Sequence, residues 1–406
     1  MSTEPEWISA REAAALLDVK RQTLYAYASR GLVESVPGPS GRGRRYARAS
    51  IDRLRARHDA RAGHGAVAAD ALRWGEPSLE TGISDIRADG PAYRGESVLT
   101  LCTRAASFES VAALLWQGAL GPERWHERPP RLALPPRPAE PSPSAWLAAA
   151  VALAALADDA RHGASDEAEH ARARRLIAWL ASIVGGERAR AARDARVAER
   201  LLLGFGVRPT EDHVRRIDRA LVLCADHELN ASTFAARVAA STGADLYACL
   251  GAALHTHAGP RHGGVTARIE ALLREIARPA RAAEIVRARL ARGEAVPGFG
   301  HPLYPKGDPR AHALLALADE GKGTSPGLAR ARAIVAAMAR AGQPAPTLDM
   351  GLIALCQALE LPEGAPAAVF AIGRTAGWVA HALEQRAQGY LLRPRARYVP
   401  RSPKLA

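Results

Sequence analysis

Lysine is almost missing from this chain. Lys20, Lys306, Lys322 and Lys404 are all it has, so nearly all of its 55 basic residues are arginine. Cysteine is scarce as well. Cys102, Cys224, Cys249 and Cys356 lie far apart with no CxxC pair, which excludes a disulfide framework and a cysteine zinc site and fits a reducing compartment. Aromatic residues make up only 5% of the chain. Alanine and leucine, strong helix formers, dominate the apolar set, and the composition therefore predicts a mainly α protein. Long apolar runs are absent too. The longest, Ala145 to Ala157, is too short to span a bilayer and stops at Asp158-Asp159, so no membrane role is expected. Met1 to Glu6 lack the apolar core of a signal peptide, and the sequence reads as cytoplasmic. No repeat of fixed period is present.

What the chain does have is 406 residues, 48% of them hydrophobic and 24% charged, enough for a sizeable core. Its net charge is +13 and its pI about 10.2. Such a field attracts nucleic acid, a membrane surface or an anionic substrate. Arginines scattered over solvated helix faces give the same totals, and the dearth of lysine favours that plainer explanation for the chain as a whole.

Residues 1–62 read as one compact module. Ser9 can cap a helix from Ala10 to Leu17, the Asp18-Val19-Lys20 turn leads to a second helix from Arg21 to Ser29, and Gly31 stops it. A Pro/Gly/Arg loop from Pro37 to Tyr46 and a third helix from Ser50 follow. The stretches "WISAREAAALLDVKRQTLYAYASRGLV" and "GRGRRYARASIDRLR" resemble the winged helix-turn-helix modules of excisionase and MerR-like proteins. The resemblance implies that the second helix enters the major groove with Arg21, Gln22 and Thr23 as readers, and that Arg42, Arg44 and Arg45 meet phosphates. A module that merely packs on a partner is the alternative.

From Ser78 to Gly95 short alternating stretches around Asp89-Gly90 predict a β-hairpin or meander. Arg128 to Pro143 carries seven prolines and is expected to be an exposed connector. From Trp146 to Gln388 helix follows helix, and the Gly/Pro loops between them hold the candidate chemistry. These are Asp226 to Thr233, Gly259 to Gly264, Gly298 to His301 with Asp308 to Arg310, and Pro346 to Asp349. Glycines flanking His262 and His301 are expected to let the backbone approach a ligand and leave the imidazoles facing a cavity. Taken singly, Asp349 and Asp226 read as helix N-caps. The histidines have no HxxxH or HxH spacing, so no metal site is expected.

In order, the segments "LETGISDIRADGPAYRG", "ADHELNASTFAARVAASTGADLYACLGAALHTHAGPRHGG", "GFGHPLYPKGDPRA", "LDMGLIAL" and "AIGRTAGWVAHALEQ" resemble the citrate synthase family over about Leu79 to Pro400. The resemblance implies a two-domain helical body over residues 63–400, with a small domain at about 260–360 and a tail at 401–406. It implies an acyltransferase that joins acetyl-CoA to oxaloacetate with water, giving citrate and CoA as in the tricarboxylic acid cycle, with no cofactor beyond the thioester substrate. Asp349 would remove the methyl proton, His262 would bond the thioester oxygen, and His301 would polarise the ketone. His227, Arg310, Arg374 and Arg393 would hold oxaloacetate. Arg393 would reach the partner subunit's site, making a homodimer. Val296, Gly298, Gly300 and Lys306 would face CoA. The chain departs from the family at Pro302 and Pro305, where basic residues are common, and at Met350-Gly351, where an aromatic and a small polar residue are common. Propionyl-CoA as substrate (2-methylcitrate synthesis), citryl-CoA lyase activity and a metabolite-sensing DNA-binding regulator are the alternatives.

Overall fold

The computed structural model describes the chain except residues 1–6, 18, 30–31, 39–42, 49, 53, 55–78, 88, 128–129, 131, 136, 138–141, 164, 186–193, 322 and 395–406. It divides into two compact units, Met1–Glu80 with Arg393–Ala406, and Thr81–Leu392.

In the first unit, β1 (Trp7–Ser9) leads into α1 (Ala10–Leu16), and α2 (Arg21–Ser29) follows across a short turn. β2 (Ser35–Pro37) and β3 (Arg44–Ala47) complete an antiparallel sheet of order β1-β3-β2. Ser9 caps α1 as expected. Its hydroxyl accepts from the Glu12 amide at 3.2 Å, while the Glu12 carboxylate accepts from the Ser9 amide at 2.9 Å. A cap of this kind contributes about 1 kcal/mol. Ala13, Leu17, Leu24, Val33, Tyr46 and Ile51 form the unit's own core. The third helix begins slightly early, with Arg48 already helical, and Gly31 lies outside the described residues.

The second unit opens with the expected meander: β4 (Ser84–Arg87), β5 (Gly90–Tyr93) and β6 (Glu96–Ser97), antiparallel and in sequence order. Arg94 and Gly95 join β5 to β6 with φ of 48° and 91°, the two left-handed residues that a type I′ turn demands. Helices α3 (Val98–Thr103) and α4 (Phe108–Gln117) come next. The proline-rich connector is less exposed than its composition suggests, because Leu132 and Leu134 pack on the core and Arg137 donates to the Val184 carbonyl at 2.9 Å. α5 (Pro143–Leu156) begins with proline at its first position, where a missing amide does no harm. No helix among the described residues is long and apolar enough to cross a membrane.

The remaining helices are α6 (Asp166–Ile183), α7 (Val197–Gly204), α8 (Glu211–Cys224), α9 (Ala231–Ser241), α10 (Leu246–His257), α11 (Val265–Ile276), α12 (Ala282–Ala291), α13 (Pro309–Asp319), α14 (Pro326–Arg340), α15 (Leu348–Ala358) and α16 (Ala365–Gln388). α11 to α15 pack chiefly on one another, while α16 packs against α4, α8, α9 and α10. α16 is buried on nearly every side from Ala365 to Ala382, and small residues make this possible. A Cβ on Gly373 would lie 2.9 Å from the Leu221 carbonyl oxygen, and one on Gly377 would lie 2.4 Å from that of Ala225. Glycine at these two positions lets the end of α8 lie directly on α16, so the loop after α8 starts beside Arg374.

Candidate active site

Each candidate side chain is set by a helix end or a loop with its own local reason. Asp226 and His227 follow α8. Asp226 is fully buried and no N-cap: its carboxylate is bonded by the Ser84 hydroxyl, accepts from the Glu228 amide at 3.2 Å and faces His381 Nε2 at 3.4 Å. The cap of α9 is Asn230. Burial pushes the Asp226 carboxyl up, but His381 and Arg374 outweigh it and hold the group ionised below the usual range. This carboxylate is the counter-charge for Arg374 in the interior.

Arg374 lies on the face of α16 that also presents Phe370 and Trp378 at four-residue spacing. It is 1% exposed. Its Nε donates to the Cys224 carbonyl at 2.7 Å and its guanidinium carbon lies 4.7 Å from the Phe370 ring centre, yet one terminal nitrogen, Nη1, is buried without a hydrogen-bond partner. Arg310, in the first turn of α13, is also buried. Asp308, the N-cap of that helix, grips its Nε at 3.0 Å and its Nη2 at 2.8 Å. A bidentate pair of this kind fixes the guanidinium plane as well as its charge.

Around these cations stand the histidines. His227 Nε2 is 2.8 Å from the Tyr304 hydroxyl, and the His227 and His301 rings meet edge to face at 5.5 Å. Burial, Arg310 and Arg374 together hold His227 well below its ordinary pKa, and burial with Arg310 lowers His301, so both are neutral at pH 7. The Leu303 amide donates to His301 Nδ1 at 3.2 Å. A nitrogen that accepts carries no proton, so the proton of His301 sits on Nε2.

His262 occupies the second half of the site, against α16. Its ring meets those of His257 and Phe370 edge to face, at 5.1 and 6.0 Å. Its Nε2 is 2.8 Å from Ser232 Oγ, which also accepts from Trp378 Nε1 at 3.1 Å and lies 2.8 Å from Asn230 Oδ1. An indole nitrogen only donates. Asn230 Oδ1 also accepts from the Thr233 amide and can only accept, so the single Ser232 proton goes to it and His262 donates to Ser232 from Nε2. Burial, reinforced by Arg374, lowers the His262 pKa to about 4.

Asp349 is no N-cap either. That position belongs to Thr347, and Asp349 sits one step inside the first turn of α15. Thr347 Oγ1 donates to its carboxylate at 3.3 Å. A helix N-terminus favours negative charge, but burial wins and raises the Asp349 pKa to about 6. Two main-chain bonds bring it to the His301 loop: Thr347 donates to the Gly298 carbonyl at 2.9 Å, and Gly300 donates to that of Ala345 at 2.9 Å.

The glycines beside the histidines are also required by packing. A Cβ on Gly263 would lie 2.1 Å from the His257 ring, and one on Gly298 would lie 2.8 Å from Ile269. Gly298 and Gly300 also adopt φ of 87° and 79°, where side chains are strained. Of the residues expected to face CoA, Val296 is buried in the core and the Gly298 carbonyl is engaged by Thr347, while Gly300 and Lys306 are exposed. Met350 is buried, and Gly351 lets α15 approach α13, since a Cβ there would lie 2.8 Å from Leu314. Arg393 is exposed and falls in the other compact unit. Arg21, Gln22, Arg44 and Arg45 are exposed; Arg44 bonds Ser35 and Arg45 the Trp7 carbonyl, while Arg42 lies outside the described residues.

Sequence reasoning missed Tyr304, Ser232, His257, Phe370 and Trp378. Tyr304, Ser232, His257 and Trp378 lay inside the segments quoted above, but nothing local marked any of them individually. Among the described residues no three His, Cys, Asp or Glu side chains gather as a metal site.

Residues 71–395 match the family of the citrate synthase C-terminal domain. The chain belongs to the citrate synthase family. These enzymes are acyltransferases. Citrate synthase 2 of Bacillus subtilis is 32% identical over 355 residues, covering 80% of this chain and 94% of its own. A 2-methylcitrate synthase of Mycobacterium tuberculosis is 30% identical over 361 residues, covering 79% and 91%. The citrate synthase of Thermoplasma acidophilum, solved in a ternary complex with carboxymethyl coenzyme A and oxaloacetate, superposes with a TM-score of 0.70 at 25% identity, covering 83% of this chain and 97% of its own. Residues 7–59 match a helix-turn-helix domain family.

Proposed function

We propose that the body condenses acetyl-CoA with oxaloacetate and water to give citrate and CoA, with the residues named above in the family's roles. The observation that carries this reading is Arg374, a buried guanidinium whose Nη1 lacks a hydrogen-bond partner, beside buried Arg310 and two neutral imidazoles. A small dianion is the chemistry such a pocket suits. Asp349 takes a proton from the thioester methyl. A base with a pKa near 6 is mostly ionised at pH 7 while keeping more basicity than an ordinary carboxylate. His262 bonds the thioester oxygen from Nδ1 once the Ser232 proton turns from Asn230 to Nε2, so the developing enolate meets a neutral donor. His301, protonated on Nε2, bonds the ketone oxygen and supplies the proton as the new alkoxide forms. Arg310 and Arg374 hold the carboxylates with His227 beside them, and Arg393 from a second copy completes the grip in a homodimer. Gly300 and Lys306 face the CoA end.

The test is thiol release from acetyl-CoA and propionyl-CoA in the presence of oxaloacetate. Release that depends on both substrates supports the reading, and its absence with every short acyl-CoA overturns it. Propionyl-CoA is the natural second substrate to try, since one methylene in an apolar pocket changes binding by only about 1–3 kcal/mol.

A second role rests on the helix-turn-helix match and on the exposed Arg21 and Gln22 at the start of α2. The module binds duplex DNA through that helix, with the arginines of the β2–β3 wing at the backbone. Selection from random duplexes, followed by binding at two salt concentrations, tests it. Arg21→Ala and Gln22→Ala should lose sequence preference, and equal binding to all duplexes removes the assignment.

A further inference from the structure

We propose that Ser84 and Tyr93 are positioning residues of the oxaloacetate pocket: the β-meander grips both neighbours of His227 and so fixes where its imidazole stands. This rests on the reading of His227 as an oxaloacetate contact given above. The meander supplies none of the residues assigned to the reaction, yet two of its hydroxyls reach the loop after α8. Ser84 and Tyr93 are direct partners across the β4–β5 ladder. Residues opposed in an antiparallel pair project from the same face of the sheet. Tyr93 is fully buried and Ser84 is 8% exposed. The pair is therefore a two-pronged support on one rigid element.

The prongs take hold on either side of His227. The Tyr93 phenol accepts from the Asp226 amide at 3.1 Å, and its own proton faces the carbonyls of Val222 and Asp226 at 3.0 and 3.1 Å. Ser84 Oγ accepts from the Glu228 amide at 3.1 Å and gives its proton to the Asp226 carboxylate. Each hydroxyl thus accepts and donates at once, as one proton and two lone pairs allow. Between these anchors the chain turns sharply. Glu228 has φ of 52°, a left-handed conformation that is strained for a residue with a side chain. Such a conformation persists only where its surroundings hold it, and the Glu228 amide is held by Ser84 and, at 3.2 Å, by Asp226 Oδ2. The turn leaves the His227 ring with Nε2 2.8 Å from the Tyr304 hydroxyl and its edge toward His301. Without the Ser84 hydroxyl, Glu228 can relax and carry His227 out of that place. Asp226 remains beside His381 and Arg374, so the effect falls on His227 and spares the guanidinium.

The test is Ser84→Ala, which removes one hydroxyl from the face of a strand. KM for oxaloacetate should rise about fivefold or more, while KM for acetyl-CoA and kcat stay within about threefold of wild type, because His262, His301 and Asp349 are held by other segments. In a His227→Ala background the same change should cost less than about twofold, since the residue it acts through is gone. Should Ser84→Ala fail to fold, Tyr93→Phe reads the same quantities. An unchanged KM for oxaloacetate overturns the proposal. So do losses that multiply in the double variant, and so does an equal rise in both KM values together with a lowered melting temperature, which marks general loosening. Calorimetric titration of oxaloacetate alone separates this proposal from the reaction. If the wild type releases no CoA yet binds oxaloacetate more tightly than Ser84→Ala, the condensation reading falls and the positioning assignment stands. No binding of oxaloacetate by the wild type removes both.

Discussion

The amide of Thr347 donates to the carbonyl of Gly298 at 2.9 Å, and this bond, between residues 49 positions apart, joins the loop of one catalytic candidate to the turn of another. His301 follows three residues after Gly298, and Asp349 two after Thr347. Phe299 and Pro346 pair beside the bond as an isolated antiparallel bridge. Neither loop belongs to a sheet. The bridge therefore ties the loop of the imidazole to the turn of the carboxylate.

Asp349→Ala should reduce CoA release from acetyl-CoA and oxaloacetate by a hundredfold or more, the usual range for losing a general base. The melting temperature should change little, since among the described residues the only side chain bonded to Asp349 is the neighbouring Thr347 and burial opposes its charge. Activity within a few-fold of wild type would remove Asp349 from the reaction.

The pH dependence follows from the same residue. The carboxylate is the reactive form, and burial raises its pKa to about 6. kcat for acetyl-CoA should therefore fall about tenfold per pH unit below about pH 6 and level off above it. A profile flat down to pH 4.5 contradicts a buried base at this position.

Stability has a pH limb of its own. Glu109 is buried, accepts from the Val197 amide and leaves Oε2 without a partner. Burial, with help from Asp218, raises its pKa from 4.5 to about 8. Folding thus favours the protonated form, so the contribution is complete below pH 4.5 and is lost as pH rises through 8. Melting temperature should decline from pH 6 to 9 in the wild type and decline less in Glu109→Gln. Parallel curves would exclude Glu109 as the cause.

Gly263→Ala should lower kcat about tenfold or more, because a Cβ 2.1 Å from the His257 ring forces the loop that carries His262 to move. Cutting the ring away in a Gly263→Ala, His257→Ala double variant should restore part of the loss. No recovery there would mean that the glycine serves the backbone instead.

Helix content, the capped first helix, the meander and the ordered His, His, Asp segments were all legible in the residues, because each rests on local propensity or on a motif that survives without its surroundings. Taken singly, Asp226 and Asp349 could pass for caps on local grounds, and that alternative fell once the helix ends were seen to be capped by Asn230 and Thr347. The glycines at 263 and 298 were assigned to ligand approach. Packing requires them as well, against His257 and Ile269, one six residues away and the other on a different element. Ser232 and Trp378 lay inside segments singled out above, but nothing local joined them, since their shared hydrogen bond spans 146 residues.

By itself the sequence determined which side chains were available for chemistry, that helices would carry them, and that their order followed one family. Tertiary structure decided which of them are charged and which protons they hold. Two aspartates alike in sequence differ because Asp226 lies beside His381 and Arg374 and stays ionised, while Asp349 is half-buried with weaker compensation and its pKa is raised to about 6. Proton affinity depends on distance to other charges and on exclusion of water, and those quantities exist only after distant segments have packed.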